Sequence, residues 1–181
     1  MALCDTFLTE DIAVQCSQQA LNPKNKAWMF NFDDIENQDG LVVADNKVEP
    51  FEMKDSKRGY YVEQIGRKPF AGTNTALVVG TYASTFTHQV KLFIPYSMNN
   101  VETIDEIANS KLIVVLDNGT SAKEVYGAEN GLYCTECTRT LYDDESEGGW
   151  IITLEETKAK HSGLIYEATN EELDALCQAT A

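Results

Sequence analysis

Thr85-Phe86-Thr87-His88-Gln89-Val90-Lys91-Leu92-Phe93-Ile94 alternates with a period of two: Phe86, His88, Val90, Leu92 and Ile94 fall on one face, Thr85, Thr87, Gln89 and Lys91 on the other. Successive side chains of an extended chain point to opposite sides, so this pattern marks a half-buried β-strand. Further strand-like segments surround it. Residues 59–65 (GYYVEQI) are rich in aromatic and β-branched types, residues 112–116 (LIVVL) are apolar on both faces as in a central strand, and residues 150–154 (WIITL) are another candidate. Asp39-Gly40 and Asn118-Gly119 tolerate the positive φ of tight hairpin turns, and Asn130-Gly131 and Gly148-Gly149 mark further reversals.

Two stretches read as helices. Residues 101–109 carry Val101, Ile104, Ile107 and Ala108 at helical spacing, with Asn100 as N-cap and Glu102 in the positive first turn. Thr169-Asn170-Glu171-Glu172 has the capping-box pattern, and Leu173, Leu176 and Cys177 form the stripe to be buried behind it. Residues 5–20 fit either a third helix or an extended arm, so residues 1–22 can stand apart as an N-terminal arm. No repeat, low-complexity block or Pro/Ser-rich linker divides the chain. The expectation is one domain over residues 1–181: mainly β, antiparallel, sandwich or barrel-like, with two or three short helices flanking the strands. A chain of this length buries roughly 70% of the surface its unfolded form exposes.

Charge constrains function more than any motif does. The chain carries 29 acids against 14 bases, a formal net charge of −15, and residues 101–181 hold 17 of the acids but only 5 of the bases. Such a balance argues against tight binding of phosphate backbones or anionic membranes, which needs clustered Lys and Arg. No apolar run approaches the roughly 18 residues of a membrane-spanning helix. The N-terminus, MALCDTFLTEDIAVQC, lacks the basic head and unbroken apolar run of a secretory signal, so synthesis and retention in the cytoplasm are expected. Five cysteines, an odd number, are then expected to be reduced thiols rather than a disulfide framework.

Candidate chemistry is sparse. Cys134-Thr135-Glu136-Cys137 is a CxxC pair, the spacing that ligates zinc or exchanges thiols. In a regular strand the two cysteines point to opposite faces, so one ion collects both sulfurs only across a bulge or turn. The structural reading of the pair is therefore preferred, with Cys134 and Cys137 kept as metal candidates. His88 lies on an apolar strand face and His161 in a polar turn, neither beside a Ser or Cys nucleophile, which leaves a catalytic triad unsupported. Asp33-Asp34 and Glu155-Glu156 are adjacent pairs, which strands send to opposite faces. No glycine loop cradles a phosphate. No enzyme activity and no cofactor are expected. The run Asp143-Asp144-Glu145-Ser146-Glu147 is a dense acidic face; Lys54, Lys57, Arg58, Arg67 and Lys68 are the only basic concentration and a complementary patch for it.

KLFIPY at residues 91–96, the helix ending in Ala108-Asn109, LIVVLDNG at 112–119, VYGAENGLYCTE at 125–136 and GGWIITLE at 148–155 together resemble virion proteins of tailed bacteriophages, in particular tube-forming tail or neck-ring subunits. The similarity spreads over residues 60–160 and lies in order and texture. It implies a β-sandwich or barrel subunit that assembles with copies of itself and other virion proteins into rings or a tube, located in the virion and made in the host cytoplasm. It implies no catalytic residues. Acidic walls suit such a channel, since genomic DNA passes a negative surface without being held. Two alternatives fit parts of the pattern: a small metal- or thiol-dependent module on Cys134 and Cys137, and a monomeric acidic binding or inhibitor domain.

Overall fold

A computed structural model of the protein describes residues 26–38, 41–43, 46–63, 70–94, 100–139 and 149–178. The strands are β1 (Lys26–Asn31), β2 (Val42–Val43), β3 (Lys47–Val48), β4 (Tyr60–Glu63), β5 (Phe70–Val78), β6 (Thr85–Ile94), β7 (Lys111–Leu116), β8 (Ala122–Tyr126), β9 (Leu132–Arg139), β10 (Trp150–Ala159) and β11 (Leu164–Glu167). Two short helices accompany them, α1 (Asn100–Asn109) and α2 (Asn170–Leu176), and Phe32–Asp34 forms a single 3-10 turn. The protein is thus mainly β and mostly antiparallel, with two short helices among the described residues. The N-terminal segment 1–22, helix or arm, lies outside the described residues.

All strands join one sheet in the order β2-β3-β11-β8-β7-β9-β10-β6-β5, with β1 and β4 branching from it. The only parallel pairing among the described strands is β11 with β3. The branch sits at β7. Its one edge takes β1, Ala27 to Asn31 opposite Leu116 to Leu112. Its other edge is shared: β8 pairs with Val114–Leu116 and β9 with Lys111 and Leu112. The sheet therefore forks into an arm through β8 and an arm through β9.

This central placement explains the LIVVL run. Odd-numbered Ile113 and Val115 join Trp28 and Phe30 of β1 in a core closed by Val125, Leu164, Tyr166 and Leu173. Even-numbered Leu112, Val114 and Leu116 join Ala27 and Met29 in a second core with Val90, Leu92, Leu132, Ile152 and Leu154, roofed by Ile104 and Ile107 of α1. Both faces are covered, so period-two alternation disappears from β7 while both of its side-chain sets are apolar. The second core gathers β1, β6, β7, β9 and β10, with Val62 of β4 packed against it. Along the arm through β9 the strands run β4-β1-β7-β9-β10-β6-β5, with β4 and β5 at its two ends.

Local signals match the elements they predict. Thr169 accepts from the Glu172 backbone N–H at 3.2 Å, and the Glu172 carboxylate accepts from the Thr169 N–H at 2.8 Å, closing the capping box of α2. Asn118-Gly119 does reverse the chain between β7 and β8, with Gly119 at φ 78°, but through residues 117–121 rather than a two-residue turn. The Asn118 and Asp117 side chains fold that loop by accepting from Thr120 and Gly119 N–H groups. Asp39-Gly40 and Gly148 lie outside the described residues. Gly59 permits a close approach: a Cβ there would sit 2.3 Å from Phe30 Cε1 in the first core.

Candidate functional site

The feature that departs furthest from a self-contained globule is the β5–β6 hairpin. β5 terminates the sheet order and, among the described residues, pairs only with β6, from Phe70 opposite Leu92 to Val78 opposite Thr85. An edge strand ordinarily buries one face. Here every side chain from residue 72 to residue 84 is exposed. Leu77, Val78, Val79 and Tyr82 are 57%, 48%, 78% and 100% exposed, and they cluster at the hairpin end. Residues 69–90 contain no Asp, Glu, Lys or Arg, in a chain where 24% of residues are charged. Summing charge over halves of the sequence hides this neutral stretch; a scan for uncharged runs reveals it. An uncharged exposed strand from Gly72 to Val78, with no described strand on its outer edge and with Leu77, Val78, Val79 and Tyr82 at its end, is the kind of surface that pairs with another chain.

The base of this hairpin is held by the two histidines, which the tertiary structure brings together. His88 Nε2 lies 2.9 Å from the His161 carbonyl and therefore donates to it. Its Nδ1, 2.9 Å from Thr75 Oγ1, then accepts in the neutral ring. Tyr126 packs edge-on against the same ring. Burial pushes the Tyr126 phenol up to about 12, against a hydrogen bond from Thr73. His161 is a turn residue, as expected, but its Nδ1 bonds Glu129, whose carboxylate also accepts from the Lys160 and His161 N–H groups. Glu156, cross-strand partner of His88, is 1% exposed and accepts from the N–H groups of Gly127, Glu129 and Asn130 at 3.0, 3.2 and 2.7 Å. Glu129 thus ties the 127–131 turn to the 160–163 turn, and Glu156 ties it to β10. These groups are committed to internal bonds and act as latches.

The CxxC pair gives a correction to the strand geometry expected for it. β9 is a strand, but its register with β10 shifts: Cys134 lies opposite Leu154, Glu136 opposite Thr153 and Cys137 opposite Ile152. Thr135 is the extra residue of a β-bulge, which reverses the alternation and brings both cysteines to the face of Leu154 and Ile152. Burial raises both thiols above 9.0, and Cys137 is raised further by Cys134 and by Asp105 of α1. Raised thiols are weak nucleophiles at neutral pH. Among the described residues no group of three or more His, Cys, Asp or Glu is placed to hold a metal ion.

Of the basic patch, Lys54, Lys57 and Arg58 are described and Arg67 and Lys68 lie outside the described residues. Lys57 pairs with Asp34 at 3.1 Å, Lys54 donates to the Asp33 carbonyl at 2.7 Å, and Arg58 lies over the Tyr60 ring. Of the adjacent acids Asp33 and Asp34, Asp34 supplies the carboxylate that pairs with Lys57, and Asp33 supplies only a backbone carbonyl to Lys54. The acidic run Asp143, Asp144, Glu145 and Glu147 also lies outside the described residues. Of the 13 described acids beyond residue 100, Asp117, Glu124, Glu129, Glu155, Glu156 and Asp174 are buried or half-buried and hydrogen-bonded within the chain. The other seven described acids of this half, among them Glu102, Asp105 and Glu106 on α1, are exposed. Compared with protein-family models, with characterised proteins and with solved structures, the chain matches none.

Proposed function

We propose that this protein is a structural subunit that assembles with copies of itself into rings or a tube, as the resemblance to tailed-phage tail-tube and neck-ring proteins implies. The observation that carries the reading is the outer part of the β5–β6 hairpin: residues 72–84 are uncharged and exposed throughout, while β6 behind them buries Val90, Leu92 and Ile94 in the second core. A lone molecule has no use for Tyr82 at 100% exposure beside Leu77 and Val79. An assembly does, because association removes that apolar area from water. The acids exposed on α1 and α2 supply negative surface, which repels duplex DNA instead of retaining it and so suits a conduit.

Electron microscopy and light scattering of the purified protein, from micromolar to millimolar concentration, test the reading. Annuli or cylinders that grow with concentration are expected, together with no retention of duplex DNA at low salt. Uniform monomers throughout the range overturn it and favour the acidic binding domain instead.

A further inference from the structure

We infer that copies of this chain join head to tail by strand addition, the free edge of β5 in one copy pairing with the free edge of β4 in the next. The inference rests on the assembly reading above and names its contact.

Three strands bound the sheet among the described residues. β2 has two residues, too few for a stable addition, whereas β4 pairs only with β1 and β5 only with β6. The two usable edges are the ends of the arm β4-β1-β7-β9-β10-β6-β5, and residues 64–69 join them in the chain. Among the described residues each of β4 and β5 has one edge with no strand paired to it, whose backbone N–H and C=O groups an added strand satisfies directly.

Charge selects the occupant. A basic partner would be drawn to the exposed acids of α1, not to a neutral hairpin. Two copies, each at −15, approach only where they present few acids to each other. Residues 69–90 present none, and β4 has a single acid, Glu63 at its end, with Arg58 stacked over the half-exposed Tyr60 at its start. Tyr60 opposite the Thr, Ala and Val side chains of β5 makes an aromatic and β-branched cross-strand set. Pairing β5 with β5 would stop at a dimer and leave β4 open. Pairing β5 with β4 uses two different patches, so it repeats, and it closes into a ring when the rotation per step permits.

Two edge variants of the full chain test this. Leu77→Lys with Val79→Lys spoils only the β5 edge, and Tyr60→Lys spoils only the β4 edge; all three sites are at least 50% exposed, so thermal midpoints stay near that of the wild type. By light scattering each variant alone is expected to lose every species above monomer. Mixed in equal amounts they form one-to-one dimers and nothing larger, since each contributes one intact edge. Self-association of the Tyr60→Lys variant alone, or a mixture that stays monomeric, overturns this contact while wild-type rings keep the assembly reading. A wild type that never associates overturns both.

Discussion

The indole N–H of Trp28 in β1 donates to Asp174 Oδ1 in α2 at 2.8 Å, across 146 residues of chain. Lys26 Nζ reaches the same carboxylate at 2.6 Å, so one acid on a seven-residue helix fixes both ends of a short stretch of β1. Trp28 is fully buried, and an indole in a core needs a partner for its single donor. The helix is docked by this bond as well as by Leu173 and Cys177 behind it.

Asp174→Ala is expected to cost about 1–3 kcal/mol, the penalty for a buried donor without an acceptor. Burial alone would raise the Asp174 carboxyl, but the hydrogen bonds from Lys26 and Trp28 outweigh it and hold the group below its ordinary 3.8. A folded state that binds the proton more weakly than the unfolded chain is stabilised above that ordinary value and loses the contribution as pH falls through the lowered one. Urea unfolding of wild type and variant is therefore expected to show a gap at pH 7 that narrows below pH 3.8.

Glu156→Ala removes the acceptor of three backbone N–H groups at the 127–131 turn. A loss of about 3 kcal/mol is expected, lowering the thermal midpoint by about 6–12 °C for a domain of this size. Glu156→Gln keeps an acceptor oxygen and loses the charge assistance, so it falls between wild type and the alanine variant. Calorimetry of the three proteins orders them.

Asp117→Ala leaves Lys123, 2% exposed beneath the Trp28 ring, without its carboxylate at 3.3 Å. Breaking one side of a buried ion pair costs about 3–5 kcal/mol. The double change Asp117→Ala with Lys123→Met is expected to recover most of that loss, because the stranded charge is gone. A double variant no more stable than the single one, by chemical denaturation, would refute the pairing.

Thiol chemistry follows burial. Cys134 and Cys137 are raised above 9.0, and Cys177, desolvated in the first core and beside Asp174, is pushed up to about 11. Alkylation followed by mass spectrometry at pH 7 is expected to label Cys134 and Cys137 more slowly than an unfolded peptide thiol, with rates climbing as pH rises toward 9. Cys177 is expected to react only on unfolding.

Much of the β framework is legible in residues 85–94, 112–116 and 150–154, because period-two alternation and apolar runs are properties of neighbours along the chain. The Thr169–Glu172 cap is legible for the same reason: both halves of it lie within one turn. The Thr135 bulge is not, since an extra residue exists only relative to the partner strand β10, and it decides which way Cys137 points. Nor are the bonds of His161 with Glu129 or Lys57 with Asp34, whose members meet only after the sheet has formed.

Sequence alone determined that this chain is β-rich, strongly acidic and capped at its last helix, since composition and local spacing suffice for each. Only tertiary structure decided that FAGTNTALV is an edge and not a core strand. Its residues suit either place, and what leaves them uncovered is that β5 stands last in the sheet order, with no described strand beyond it.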